Sequence, residues 1–150
     1  MEIKLECLSN VKDEIQPLLQ KHWELVALNQ GKIKLNPDWK EYARLDAAGV
    51  LRIFTARRDG QLIGYFVLLV SRSIHYQDHI FATNDVLFVL PEQRFGSTGY
   101  RLVKFVENWC AENNVSLMMV NTKVHVPFDR LMLGMSFNLI ERVYSKYLGK

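Results

Sequence analysis

The chain has 150 residues, of which 49% are hydrophobic and 23% are charged, and its formal net charge at pH 7 is +3. These figures predict one globular domain over residues 1–150 and exclude a disordered low-complexity chain, because apolar residues are plentiful while Gly and Pro are few. They also exclude a membrane span, since the longest apolar runs are much shorter than the roughly 20 residues that a spanning helix needs.

The cysteines and the basic residues narrow the class of protein further. Two cysteines are too few for a disulfide framework, and we expect Cys7 and Cys110 to be free thiols in the core of a cytoplasmic protein. The N-terminus has no apolar signal core, which favours the same location. The longest basic run is Arg57-Arg58, interpreted as a solvated strand end, so we expect no nucleic-acid partner.

The first third of the chain predicts a strand followed by two helices. Alternating apolar residues predict a short strand over 3–8, and apolar residues at helical spacing predict a helix from Ser9 or Asn10 to about Asn29. Pro17 either kinks that helix or begins a second segment. Asn36-Pro37-Asp38 is typical of a helix start, and Gly49 ends the second helix.

The rest of the chain predicts strands that alternate with shorter helices. Two β-rich runs are joined by Asp59-Gly60, a strong hairpin signal. The predicted elements are strands over 50–58, 61–71 and 80–90, a helix over 98–113, a strand over 115–120, a brief helix over 128–134 and a closing strand over 137–148. This order predicts an α/β fold in which helices cover both faces of a mixed sheet.

A possible anion site follows the strand over 80–90. After Pro91, a polar loop containing Arg94, Gly96 and Gly99 opens the next helix. The first turn of a helix leaves N–H groups unpaired, and small residues let a phosphate approach them while an arginine adds a full charge. An ordinary strand-to-helix turn is the alternative, and the spacing alone does not separate the two.

Residues 89–99 resemble the acetyl-CoA signature of the GNAT N-acetyltransferase superfamily. That signature is a strand, Val-x-Pro, and then Gln/Arg-x-x-Gly-x-Gly/Ala at a helix start; here Ser97 stands in place of the middle glycine. The order of the elements along nearly the whole chain also resembles this family, most closely its small stand-alone bacterial and phage members. The resemblance implies a mostly antiparallel sheet that splays apart between the strands over 80–90 and 115–120.

The resemblance also implies that acetyl-CoA binds in this opening. Its pantetheine would pair with the backbone of the strand and its pyrophosphate would lie on the amides of the loop, with His125 as a further contact or as a structural histidine. The implied cofactor-binding residues are Leu87, Phe88, Val89, Arg94, Phe95, Gly96, Ser97, Thr98, Gly99, Tyr100 and His125.

The implied reaction is direct acetyl transfer to a primary amine, either on a protein (Lys or N-terminus) or on a small molecule, without a covalent enzyme intermediate. A later family motif is degraded, because Met132 stands where a tyrosine commonly protonates the leaving thiolate. This mismatch leaves open a non-catalytic acyl-CoA-binding or protein-interaction module. Dimers are frequent in the family, so a homodimer is a further expectation.

A general base accelerates amine acylation, because an alkylamine is almost fully protonated at pH 7. Asp85 is the first candidate, since it precedes the apolar run 86–90 and burial would make it a stronger base; a strand-end carboxylate bonded to backbone is the alternative. Tyr144, on the closing strand, is the predicted proton donor, and a half-exposed strand aromatic is the alternative.

The acceptor amine is expected to bind near a polar cluster in the loop before residue 80. His75, Tyr76 and His79 belong to this cluster, and ordinary loop residues are the alternative interpretation. The four histidines lack the paired spacing of zinc ligands and the two cysteines lie on separate elements, so we expect no metal site.

Overall fold

The computed structural model describes all residues from 1 to 150 and builds them around one five-stranded sheet. In chain order the elements are β1 (Glu2–Glu6), α1 (Leu8–Val26), α2 (Trp39–Ala47), β2 (Leu51–Arg58), β3 (Gln61–Arg72), β4 (Ile80–Val89), a 3-10 turn (Pro91–Gln93), α3 (Thr98–Glu112), β5 (Val115–Met119) and α4 (Asp129–Gly134). None of the helices has both the length and the apolar character that a membrane crossing requires.

Local signals explain where several elements begin and end. The side chain of Asp38 accepts a hydrogen bond of 3.0 Å from the Glu41 amide and so caps α2, which begins just after the segment Asn36-Pro37-Asp38 that predicted a helix start. Asp59 and Gly60 have φ angles of +51° and +79°, the pair of left-handed conformations that a tight hairpin turn requires. In contrast, α1 begins at Leu8 and passes through Pro17 as one helix, so a second segment does not form there.

The sheet is mixed and mostly antiparallel, which confirms the predicted fold class. The strand order is β1-β2-β3-β4-β5, and only the pair β4–β5 is parallel. That pairing stops at Thr83 and Met119. Just beyond it, Asn84 Oδ1 accepts from the Asn121 amide (2.6 Å) and Asn84 Nδ2 donates to the Asn121 carbonyl (3.2 Å). A side chain thus replaces a strand partner where β4 and β5 splay apart.

Helices cover both faces of the sheet, again as predicted. On one face α1 contributes Val11 and Ile15 to a core shared with Tyr65 and Phe88 of the sheet. On the other face α3 packs its apolar stripe against the sheet, and the α4 residue Met132 completes this second core. The two cores hold β4 between them, and this fixes the strand that carries the candidate site.

Arg57 is not the solvated strand end that the sequence suggested, because it is only 8% exposed. It binds the carboxylates of Glu6 (3.0 Å) and Glu14 (2.8 Å), which tie β2 to β1 and α1. Burial raises the pKa of Glu6, but hydrogen bonds from Thr55 and Arg57, together with the Arg57 charge, outweigh it and hold that pKa below its ordinary value. The cluster therefore keeps a nearly buried ion pair satisfied.

Two other predictions are wrong. The closing strand over 137–148 does not form, and residues 137–150 contain no regular element. Strand propensity is expressed only when a partner supplies hydrogen bonds and burial, and this segment has neither, as Tyr144 is 89% exposed. Cys7 is exposed because it precedes α1 outside the core, whereas Cys110 on α3 is buried as expected.

Candidate active site

A bulge in β4 presents Asp85. Val67 of β3 pairs with Val86 and Leu68 pairs with Asn84, so Asp85 is the extra residue between them. A bulge of this kind disrupts the ladder locally and re-aims a side chain. Asp85 is exposed rather than buried, and its Oδ2 accepts a hydrogen bond of 2.8 Å from the Tyr42 hydroxyl on α2. The carboxylate therefore lies one residue after Asn84, where β4 and β5 diverge. It is bonded to a side chain rather than to the backbone.

Two tyrosines surround this carboxylate. Burial raises the pKa of Tyr42, and the charge and hydrogen bond of Asp85 raise it further. Burial also raises the pKa of Tyr65, with added contributions from Tyr42 and Asp85. The Tyr65 hydroxyl is buried without a hydrogen-bond partner. Both rings line an apolar cavity of about 10 Å³ between α1, α2 and the sheet, large enough for about one water molecule.

His22 lies on α1 and packs on the ring of Phe88, with 5.0 Å between the ring centroids. Burial lowers the pKa of His22 to about 4; the charges of Arg94 and Lys123 lower it as well, and Asp85 opposes them. The imidazole is therefore neutral at pH 7. No local signal in the sequence marks His22, because the groups that surround it come from distant parts of the chain.

The loop before α3 leaves a run of backbone amides free. The amides from Phe95 to Tyr100 donate to no protein acceptor, and Ser97, which precedes the helix, makes no side-chain cap. Gly96 has a φ of +62°, a left-handed conformation that favours glycine. Together with the dipole of the 15-residue helix α3, these N–H groups form an arrangement that can bind an anion.

Arg94 links this loop to β4. Its Nε donates to the Val89 carbonyl (2.7 Å), and its guanidinium lies 5.4 Å from the centroid of the Phe88 ring. The Leu90 amide donates to the Ile63 carbonyl of β3 (2.9 Å), so by alternation the backbone groups of Leu87 and Val89 face away from β3. Those of Phe88 face β3 and are used in the sheet. Of the three predicted backbone contacts, two thus lie on the open edge.

Comparison with known proteins decides the family. The model of the Acetyltransferase (GNAT) family matches residues 13–129, which is most of the chain. The chain belongs to this family. No curated protein matches the sequence.

Solved GNAT structures share the fold of this chain at low identity. Ribosomal-protein-alanine N-acetyltransferase from Brucella melitensis biovar Abortus 2308 is 19% identical, with 99% of this chain and 98% of that chain covered and a TM-score of 0.70. Aminoglycoside N-acetyltransferase AAC(6')-Iy in complex with CoA is 16% identical over 97% of this chain and 98% of that chain, with a TM-score of 0.72. An aminoglycoside acetyltransferase from an uncultured soil metagenomic sample, in complex with sisomicin, is also 16% identical, with coverages of 97% and 93% and a TM-score of 0.72.

The polar cluster predicted to bind the acceptor amine lies far from Asp85. His75, Tyr76 and His79 belong to the loop that enters β4, at the end where β4 and β5 are paired. His79 Nδ1 lies 2.8 Å from Ser116 Oγ at this closed end. Asp85 lies six residues further along the strand than His79, which corresponds to roughly 20 Å. The structure therefore does not bring the cluster and the carboxylate together.

The remaining predicted residues lie on the C-terminal third of the chain. His125 is exposed, and its Nε2 hydrogen-bonds to the Val26 carbonyl (3.0 Å) at the end of α1. Tyr144 lies in the segment without regular structure. Met132, at the position of the family's tyrosine, is buried in the core beneath α3 and carries no proton to donate. Neither of the first two side chains contacts Asp85 in this structure.

Proposed function

We propose that the protein is an acetyl-CoA-dependent N-acetyltransferase that transfers the acetyl group directly to a primary amine. The acceptor is an amine of a small molecule or of a protein, either a lysine or an N-terminus. The observation that carries this proposal is the run of free amides from Phe95 to Tyr100, which follows the open edge of β4, the strand that also carries the Asp85 carboxylate. Family membership supplies the reaction class, and the site supports its details.

The residues present fit the cofactor. The free amides at the start of α3 suit a diphosphate, and Arg94 adds a positive charge beside them. The outward backbone groups of Leu87 and Val89 suit the amides of the pantetheine arm. Bound acetyl-CoA supplies an activated acetyl group as a thioester. Because Arg94 already engages the Val89 carbonyl, pantetheine would compete with that side chain for the same acceptor.

Asp85 is proposed as the general base. Its carboxylate is exposed at the splay and can accept a proton from an incoming ammonium. The neutral His22 adds no positive charge that would repel this cation. The Asp85 carboxylate therefore attracts a protonated amine and can release it as the free base, whereas the charges of Arg94 and Lys123, which reach His22, oppose that attraction.

Protonation of the leaving thiolate is assigned to Tyr144 from the sequence, and this assignment stays a prediction. Met132 cannot perform that step, which favours a second candidate function, a module that binds acyl-CoA without turnover. The free thiols of Cys7 and Cys110 support a reducing, cytoplasmic compartment. His75, Tyr76 and His79 also stay predictions, for acceptor binding at a distance from Asp85.

Titration calorimetry with CoA and with acetyl-CoA tests the cofactor site, and release of free thiol with a panel of amines tests turnover. We expect Gly99→Glu to abolish CoA binding, because the added carboxylate repels the diphosphate. The helix itself should be retained, since a carboxylate in the first turn of α3 stabilises it through the helix dipole. Gly31→Glu is the matched control, since this loop glycine has no neighbour within 4 Å of an added Cβ. CoA binding without thiol release would favour the binding module, and no heat at millimolar CoA would contradict both functions.

A further inference from the structure

Tyr42 makes a contact that joins two distant parts of the chain at the proposed base. Its hydroxyl lies 2.8 Å from Asp85 Oδ2, and 43 residues separate the two in sequence. A residue of its own helix also packs against the Tyr42 ring, because Trp39 of α2 lies with its ring centroid 5.3 Å from that of Tyr42. The Asp38 cap fixes the start of α2 one turn earlier. Tyr42 is thus rigidly placed, whereas Asp85 is exposed on a bulge.

The hydrogen bond has a defined direction. Burial raises the pKa of Tyr42, and the Asp85 charge and hydrogen bond raise it further, so the phenol keeps its proton at neutral pH and donates it. Asp85 makes no other hydrogen bond to the protein. Its Oδ2 is therefore occupied by a donor, while Oδ1 has no protein partner and is free to accept.

We propose that Tyr42 is the positioning residue for Asp85, holding the carboxylate by Oδ2 so that Oδ1 receives the proton of the acceptor ammonium. This inference rests on the proposed function. The proton moves from the amine nitrogen to Asp85 Oδ1, and the nitrogen keeps the electron pair with which it attacks the acetyl carbon. As the C–N bond forms, the thioester C–S bond breaks, and its electron pair leaves with the CoA sulfur, which then takes up a proton. A carboxylate on a bulge rotates freely in solvent, and a fixed donor on one oxygen reduces that freedom before the amine arrives.

The titratable groups coupled to this pair are His22 of α1 and Tyr65 of β3. The charges of Arg94, in the loop before α3, and Lys123, in the loop after β5, act in turn on His22. His22 is neutral and both phenols are protonated at neutral pH. Asp85 is the one carboxyl group of this cluster.

Tyr42→Phe tests the inference, because it removes one hydroxyl and keeps the ring that packs on Trp39. We expect kcat to fall roughly 10-fold to 100-fold, while CoA affinity and the melting temperature stay close to those of the wild type. In the Asp85→Asn background the same change should cost nothing further, since the two residues act as a unit. Tyr147→Phe, a half-buried tyrosine outside the site, is the matched control and should leave kcat unchanged.

A second readout does not depend on turnover. Asp85→Asn removes the charge that raises the pKa of Tyr42 but leaves its burial and an oxygen that can accept from it, so the ultraviolet titration of that phenol should move part of the way towards its ordinary value of 10.0. An unchanged kcat in Tyr42→Phe, or losses that multiply in the double variant, would overturn the positioning role. If the wild type binds CoA without turnover, both the proposed reaction and this role are overturned. A shifted Tyr42 titration in Asp85→Asn would then still show that the contact between Tyr42 and Asp85 exists.

Discussion

Ser136 adopts a left-handed conformation, with a φ of +66°, immediately after α4. The Phe137 amide donates to the Met132 carbonyl (3.0 Å) and the Ser136 amide donates to the Leu133 carbonyl (3.1 Å), a helix ending at which glycine is preferred. We expect Ser136→Gly to stabilise the fold by roughly 0.5–1 kcal/mol in chemical denaturation, because glycine relieves the strain of a positive φ. Ser145→Gly, in the exposed C-terminal segment, should give no such gain, and an unchanged or lower stability of Ser136→Gly would contradict the strain argument.

The half-buried imidazole of His22 predicts a loss of stability in acid. Its pKa is about 4 in the folded protein and 6.5 without the surrounding structure. Since the unfolded chain binds the proton more readily, the contribution of His22 to stability is complete above pH 6.5 and is lost as the pH falls towards 4. The slope is at most about 1.4 kcal/mol per pH unit for one proton. Denaturation of His22→Gln at several pH values should show a shallower decline than the wild type over this interval, and equal slopes would show that His22 titrates normally.

Single residues also show the limit of what sequence could predict about the site. The place of Asp85 before an apolar run identified it as a candidate base. Its exposure could not be predicted, because Asp85 lies on a bulge and a bulge depends on the register of two strands. Tyr42 and His22 gave no signal at all. Each lies on a helix at a position that fits ordinary packing, and their significance depends on contacts with β4 that no local spacing encodes.

At the scale of elements, β3 and β4 approach closely at Gly64. A Cβ added there would lie 2.8 Å from the Phe88 carbonyl oxygen and 3.2 Å from the Val89 Cα, so the backbone of β4 would have to move. We expect Gly64→Ala to cost about 1–3 kcal/mol of stability and to weaken CoA binding, because it displaces the strand that offers Val89 to the cofactor.

The control for Gly64→Ala is Gly134→Ala, where an added Cβ has no neighbour within 4 Å. That variant should retain both stability and CoA affinity. A Gly64→Ala protein that loses stability but binds CoA normally would show that the open edge of β4 does not carry the cofactor.

Elements with strong local signals were predicted to within a few residues, and those that depend on a partner were not. The hairpin of β2 and β3 follows from Asp59-Gly60, and α3 follows from its apolar stripe and the glycines before it. The segment over 137–148 has the composition of a strand, but an extended segment becomes a strand only against a paired edge, and composition does not reveal whether one is within reach.

For the whole molecule, the order of the elements was enough to predict the mixed sheet and its helical layers. The reason is physical: a hairpin dictates antiparallel neighbours, and a strand–helix–strand unit dictates a parallel one. The residues of the loop before α3 predicted a possible anion site, and its amides are indeed free. Family likeness added the splay between β4 and β5 and the cofactor that this loop is expected to bind. The identity of the acceptor amine did not follow, since the surfaces that would bind it are assembled from α1, α2 and the loops around β5.

The C-terminal segment from 138 to 150 lies outside the two cores that hold the sheet. None of its residues makes a backbone hydrogen bond to the rest of the chain, and the ring of Tyr147 beneath Lys32 Nζ, at 4.8 Å, is its one aromatic contact. A cation–π contact of this kind contributes about 0.5–1 kcal/mol.

Deletion of residues 138–150 should therefore lower the free energy of unfolding by no more than about 1 kcal/mol, because Phe137 and both cores are retained. Chemical denaturation of the shortened chain measures this, with sedimentation of both forms as the control for self-association. A loss of several kcal/mol without a change of oligomeric state would show that the segment packs on the sheet in solution, and a dimer that dissociates on deletion would place the segment at the contact between two copies.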